Sequence, residues 1–246
     1  MRNFKGCDKC RNNKGYYIVT LEDGEEVAKK CRCLKVYERG AKVDSLMRNA
    51  GIPEHITDYS LNQYVGEDKK QNLPKVRKYV DEFESRYRNT HLYIYGPYGT
   101  QKTTVVLWMA RQLLSKGVNV IYITMNNLLT MLMDNASFDK EKSRSVDLTP
   151  YETCDLLILD ESFDKKKMTW YASDYQMPFL DSFLRERIES RRVATVFVSN
   201  TPPQEIATQF DQGLKELILR NTVGGWLPFN DHYSLVDDFD PSSMWS

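Results

Sequence analysis

The chain has 246 residues, 41% hydrophobic and 28% charged, a composition that belongs to folded globular proteins and excludes wholesale disorder. Lys+Arg and Asp+Glu both number 34, so net charge points to no polyanionic partner for the whole chain. Charge is uneven locally: residues 1–50 hold twelve Lys/Arg against seven Asp/Glu, while the stretch after Arg220 holds four Asp and no Lys or Arg. A basic head and an acidic tail suggest two different contact surfaces, unless each is simply solvated.

No apolar run approaches the ~18 residues that cross a bilayer, the longest being Val105–Ala110. The opening MRNFKGCDKC has no apolar core and no cleavage pattern, which predicts a cytoplasmic protein without a membrane segment. Thiols stay reduced there, so clustered cysteines read as metal ligands rather than as disulfides. Cys7 and Cys10 form one close pair, and Cys31 and Cys33 a second. Tetrahedral Zn²⁺ takes four thiolates at about 2.3 Å, commonly as two pairs on tight turns. Between the pairs, Tyr16–Leu21 and Glu25–Ala28 flank Asp23-Gly24, a hairpin turn signal. The hairpin would bring Cys7 and Cys10 beside Cys31 and Cys33, making a zinc ribbon whose closed coordination sphere is structural. So small a segment buries little core, so metal supplies much of its folding free energy. Cys154 stands apart in an apolar strand pattern and reads as a core residue.

A helix is predicted around Val36–Ala50, stopped by Gly51, Ile52 and Pro53. The polar run 66–74 (GEDKKQNLP) lacks periodicity and reads as a linker. Pro74 then opens a helix that buries Val76, Val80, Phe83 and Tyr87. The resulting organisation is 1–65 ribbon and helical extension, 66–74 linker, 75–230 main domain and 231–246 acidic tail.

Next, an apolar strand (Leu92–Tyr95) runs into Gly96, Pro97, Tyr98, Gly99, Thr100, Gln101, Lys102, Thr103 and Thr104. A helix carrying Val105, Val106, Trp108, Met109 and Leu113 follows and stops at Gly117. Strand, glycine loop, Lys-Thr and helix are the context of a phosphate-binding loop. Its N–H groups and the helix dipole would cradle the phosphates of ATP. Lys102 would reach the β/γ-phosphates and Thr103 would ligate Mg²⁺. The pattern asks for glycine immediately before the lysine, and Gln101 stands there. A side chain at that point crowds the β-phosphate or demands an unfavourable backbone angle.

Three further strands follow. Val118–Thr124 is a continuous apolar run of the kind buried in a parallel sheet. Cys154–Glu161 ends in Asp160-Glu161, 58 residues beyond Lys102 for Asp160, and matches a Walker B strand. There Asp160 would hold Mg²⁺ through water and Glu161 would polarise the attacking water. Val193–Ser199 ends in Asn200, which either touches the γ-phosphate or lytic water, or caps a helix starting near Pro203.

These residues resemble the DnaC/DnaI-type replicative helicase loaders of bacteria and phages, a branch of the AAA+ ATPases. The resemblance runs from about residue 7 to about 222. It rests on the cysteine head, LMRNAGIPEHITDYSL (Leu46–Leu61), GPYGTQKT, LLILDE and VSNTPP, with Ala50-Gly51-Ile52-Pro53 the most specific element. It implies an α/β fold: an AAA+ P-loop core with a parallel five-stranded sheet between helices, preceded by a zinc ribbon and helix. It also implies ATP and Mg²⁺ at the strand C-termini, self-association into an oligomer that completes the site in trans, and binding to a hexameric replicative helicase and to single-stranded DNA. Asp160-Glu161-Ser162 replaces the more usual double aspartate, with a carboxylate still at each place.

Lys140, Lys142 and Arg144, and Lys165, Lys166 and Lys167, would either track a phosphate backbone or only solvate loops. Trp170, Tyr171 and Tyr175 would stack bases or line a helix face. Arg220 ends a short helix (Leu214–Asn221) that turns Leu214, Leu217 and Ile218 inward. It is either a surface cation against the helix dipole or, as the resemblance implies, a finger reaching a neighbouring subunit's γ-phosphate. The sequence thus reads as an ATP-dependent helicase loader. Two rivals stand beside it: an IstB-type transposition helper, which typically lacks a zinc head, and a non-hydrolysing adaptor whose altered loop only supports the fold.

Overall fold

The computed structural model describes residues 6–10, 14–53, 61, 68–136, 146–164, 177–206, 212–222 and 225–230, with the side chains of Arg220 and Asn221 excepted. The chain divides into two compact units, Met1–Arg48 and Asn49–Ser246.

In the first unit β1 (Tyr16–Thr20) and β2 (Glu26–Lys30) form the antiparallel hairpin, in register from Tyr16↔Lys30 to Thr20↔Glu26. The Asp23 carboxylate accepts the Glu25 N–H at 3.1 Å, the local bond that makes aspartate a turn former. At the open end the Cys31 N–H donates to Gly15 O at 2.8 Å, which fixes where the second cysteine pair begins. Helix α1 (Arg32–Asn49) follows directly.

The second unit is built on a five-stranded, all-parallel sheet: β3 (Leu92–Tyr95), β4 (Val120–Thr124), β5 (Leu156–Ser162), β6 (Ala194–Ser199) and β7 (Trp226–Pro228), in the order β4-β5-β6-β3-β7. Alternation divides the buried strand residues between two faces. Tyr93, Leu157, Leu159 and Phe197 pack into a cluster with α4 (Met125–Ala136), α6 (Met177–Arg185) and α7 (Gln212–Asn221). Ile94, Ile158, Val196 and Val198 alternate with them and are equally buried. Helix α3 (Lys102–Lys116) packs on β4, and α2 (Asp68–Asp81) packs on α3 and β7. A sheet buried on both sides explains why its strands read as unbroken apolar runs.

The predicted linker 66–74 is instead helical from Asp68, with Pro74 inside α2 rather than opening it. Tertiary hydrogen bonds account for the difference. Asn72 is buried and its Nδ2 donates to Pro228 O at 2.6 Å, while the Asp68 carboxylate accepts the Asn230 N–H. Those bonds, with Val76 and Val80 buried, outweigh the N–H that Pro74 lacks. The division between units falls after Arg48, before the stretch expected to link them.

Gly51 shows why Ala50-Gly51-Ile52-Pro53 is specific. Ala50 O accepts the N–H of Tyr122 at 2.7 Å, so this turn closes the outer edge of β4. Gly51 has φ +81, and a Cβ on it would lie 2.6 Å from Tyr122 O.

Candidate nucleotide-binding site

The carboxyl ends of β3, β5 and β6 converge. As β3 leaves the sheet, the Gly96 N–H donates to Ser199 O at 3.2 Å. A Cβ on Gly96 would stand 1.7 Å from Phe229 O, so only glycine lets the chain turn there. Pro97, Tyr98, Gly99, Thr100 and Gln101 then lead into α3, whose first residues are Lys102, Thr103 and Thr104. Buried Lys102 turns its Nζ back into the loop and donates to Pro97 O at 2.7 Å, Gly96 O at 2.9 Å and Thr100 Oγ1 at 3.2 Å. These three acceptors are neutral, and an anionic phosphate oxygen is a stronger partner for an ammonium than any of them.

Both oxygens of the buried Asp160 carboxylate are held. Oδ2 accepts Thr103 Oγ1 at 3.0 Å and Tyr122 OH at 2.7 Å, and Oδ1 accepts the Glu161 N–H at 2.8 Å. Burial, and then the negative charge of Asp160, hold the Tyr122 phenol above its usual range, so it stays a donor. Thr103 and Asp160, two hard oxygen donors in direct contact, fit the ligand preference of Mg²⁺.

The acidic strand end is bent. From Leu159↔Phe197 to Ser162↔Ser199, β5 advances three residues while β6 advances two, which is a β-bulge. Half-buried Glu161 sits in it with φ 55, and Phe163 follows with φ 54, both left-handed. The bend is stitched to β6: Ser199 Oγ donates to Ser162 O at 2.6 Å and Thr201 Oγ1 to Phe163 O at 2.7 Å. Backbone strain of this kind persists only where neighbours over-determine it.

Asn200, at the tip of β6, donates from Nδ2 to Asp164 Oδ2 at 3.2 Å. It does not cap the following short 3₁₀ turn (Pro203–Glu205), whose N-cap is Pro202. Tyr98 OH donates to the same Asp164 oxygen. Asp164 escaped the sequence reading, because an aspartate four residues past Asp160 carries no motif without the bulge. The only sequence cue was a further carboxylate soon after the acidic pair. Gln101 takes φ 61 and ψ 21, the unfavourable backbone angle that its side chain was expected to force. Its Nε2 is buried and has no hydrogen-bond partner among the described residues.

Helix α7 buries Leu214, Leu217 and Ile218 as expected, but the Arg220 side chain lies outside the described residues. So do Lys140, Lys142, Arg144, Lys165, Lys166, Lys167, Trp170, Tyr171, Tyr175 and the tail 231–246. Cys154 is fully buried in the core cluster, just ahead of β5, and burial raises its thiol pKa.

In the first unit the Sγ atoms of Cys7, Cys10, Cys31 and Cys33 all lie within 4.8 Å of one another. Three of the sulfur pairs stand at 3.5, 3.6 and 4.0 Å. Four ligands at about 2.3 Å from a tetrahedral Zn²⁺ would be about 3.8 Å apart, so the donor set fits the ion. The Cys10 backbone N–H, then the Cys31 thiol, pull the Cys7 thiol down to about 6, which favours the thiolate that metal needs.

An all-parallel sheet in this order, with a glycine loop, a lysine and an acidic strand end on its carboxyl edge, is the architecture of a P-loop nucleotide-binding core. No family model matches the sequence, and no curated protein matches it. Solved structures share the fold. A DnaC helicase loader matches at 16% identity and TM-score 0.58, over 72% of this chain and 99% of that one. A DnaI structure matches at 17% and 0.55, over 73% and 90%. AMPPCP-bound DnaA from Aquifex aeolicus matches at 18% and 0.54, over 70% of this chain and 50% of DnaA. The chain spans about half of that DnaA and 49% of a DNA replication initiation factor. At such identities the likeness establishes the fold, and activity has to be argued from the site. Among the described residues, no helix is long and apolar enough to cross a membrane.

Proposed function

We propose that this chain is an ATP-dependent loader that binds a replicative helicase and helps place it on single-stranded DNA, in the cytoplasm. The observation that carries the nucleotide part is the contact of Thr103 with Asp160 beside Lys102 at the carboxyl edge of the sheet. The loader part is supported by a four-cysteine head ahead of a fold that spans nearly the whole of a DnaC helicase loader.

In this reading Gly96, Pro97, Tyr98, Gly99, Thr100, Gln101 and Thr104 surround the triphosphate, and Lys102 exchanges its carbonyl partners for β/γ-oxygens. Thr103 and Asp160 hold Mg²⁺, which when bound neutralises charge on the phosphates. Glu161 orients the attacking water, and Asn200 donates toward the γ-phosphate or that water. The lysine-rich stretches 140–144 and 165–167 are the candidates for the DNA backbone, and the cysteine head for the helicase.

Hydrolysis measured with and without single-stranded DNA, and pull-down of the replicative helicase, test the reading together. Lys102→Ala should abolish nucleotide binding. Glu161→Gln should keep it and cut turnover by roughly 10²-fold or more. A protein that binds ATP, never hydrolyses it and still holds the helicase is an adaptor, the reading that the strained Gln101 favours. One that binds no helicase is not a loader.

Arg220 we propose as the residue that completes the site of a neighbouring copy. Arg220→Ala should then retain ATP binding while losing roughly 10³-fold in hydrolysis. Mixing it with Lys102→Ala protein should recover part of the activity, and loss without recovery would place the defect in cis.

A further inference from the structure

Asp164 ties three strand ends together. The loop after β3 reaches it through Tyr98 OH, the tip of β6 through Asn200 Nδ2 at 3.2 Å, and the tail of β5 supplies the carboxylate itself. Asp164 is 6% exposed, so this is an interior contact and not a surface ion. The chain is bent to make it. Phe163, fully buried against Tyr93 and Phe197, takes φ 54 immediately before Asp164. An aromatic residue in that conformation is a genuine outlier, of the sort retained where a side chain must be aimed.

The chemistry of the contact is directional. An asparagine amide has a donating end and an accepting end, whereas a carboxylate only accepts. Asp164 therefore decides which end of Asn200 faces inward, and leaves the second Nδ2–H and Oδ1 in a defined orientation beside the loop. A terminal phosphate recognised by an N–H needs that orientation, and a freely turning amide would present its repelling oxygen half the time.

We propose that Asp164 is the positioning residue for nucleotide discrimination. By holding the donor end of the Asn200 amide on its carboxylate, it makes the site sense a third phosphate. The inference rests on the nucleotide-site reading above, but it does not require hydrolysis.

The test is equilibrium binding of AMPPCP and ADP to the full chain. Wild-type protein should prefer AMPPCP, and Asp164→Ala should lower that preference about tenfold, the scale of one hydrogen bond to a charged group. Affinity for ADP should stay within about threefold. Asp164→Asn, which retains an acceptor oxygen and the side-chain shape, should show a smaller loss and carries the test if the alanine variant fails to fold. The double variant Asp164→Ala/Asn200→Ala should lose no more than Asn200→Ala alone, since Asp164 acts through Asn200. Equal weakening of both nucleotides would mean mere structural support and overturn the proposal. So would multiplying effects in the double variant, or an unchanged preference in Asp164→Ala. A wild-type protein that binds both nucleotides equally also overturns it while leaving the nucleotide site standing. A wild-type protein that binds neither removes both readings.

Discussion

Gln101 is where local chemistry and sequence pattern disagree most openly. A left-handed backbone costs an ordinary side chain roughly 1 kcal/mol, and an orphaned buried donor adds a further cost of about 1–3 kcal/mol. Gln101 has both, with φ 61 and an unpartnered Nε2. Gln101→Gly should therefore raise the unfolding free energy by about 1 kcal/mol, after allowing for glycine's greater freedom in the unfolded chain. Nucleotide affinity should rise severalfold as the loop gains room. Denaturant melts and a binding titration check both. Weaker binding in the glycine variant would mean that the glutamine amide itself serves the nucleotide. At this scale the placements were legible: pattern alone puts Lys102 and Thr103 at the start of a helix and Asp160 and Asn200 at or just past strand ends, and the structure brings Thr103 onto Asp160. Asp164 was not legible, because its place depends on a bulge and on a left-handed Phe163 that no local pattern encodes.

Elements were readable where one face or one core decides them. Strands β3, β4, β5 and β6 and helix α3 follow from apolar runs bounded by glycine and polar turns. Helix α2 was misread as beginning at Pro74 because its first turns are held by tertiary bonds from Asn72 and Asp68 to the chain around β7. Strand β7 itself, three residues ending in proline, is too short for any period to show, and pairing with β3 is what makes it a strand. At the amino-terminal end of the sheet, away from the phosphate loop, the starts of β5 and β6 meet a wholly buried Arg187. Its guanidinium donates to the carbonyls of Tyr151, Glu152, Cys154 and Ala194 and to Thr195 Oγ1, so it caps the short α5 (Thr149–Thr153). Beside it, His91 Nδ1 accepts the Thr195 N–H at 3.1 Å. Burial, and then the Arg187 charge, push the His91 pKa down from 6.5 to about 4. The unfolded chain thus takes up a proton that the folded one refuses. Stability should be full above pH 6.5 and fall through the window to pH 4, by about 3 kcal/mol from this group. His91→Asn, which keeps an acceptor near Nδ1, should flatten the profile between those limits. Unfolding free energies that fall in parallel for both proteins would assign the loss to other groups.

Over the whole molecule, the two compact units rest on different sources of stability. Asn49–Ser246 has a continuous apolar core between sheet and helices, enough to fold by burial. Within Met1–Arg48, the buried apolar and thiol side chains among the described residues are Cys10, Cys31, Val43 and Met47, and two of those four belong to the cysteine cluster. Such a unit cannot offset the conformational entropy of its hairpin without an added constraint. Structural Zn²⁺ in peptides of this size contributes roughly 10–16 kcal/mol, far more than a two-stranded ribbon supplies alone. Purified protein should therefore contain about one Zn²⁺ per chain. A strong chelator, or Cys31→Ser, should unfold the first unit while the thermal transition of the second stays within a degree or two. Amide exchange resolves the two outcomes. Tyr16–Thr20 and Glu26–Lys30 should lose protection on chelation, while Leu92–Tyr95 and Leu156–Leu159 keep theirs. Hairpin amides that remain protected without metal would show that the cysteines are not what holds the head together.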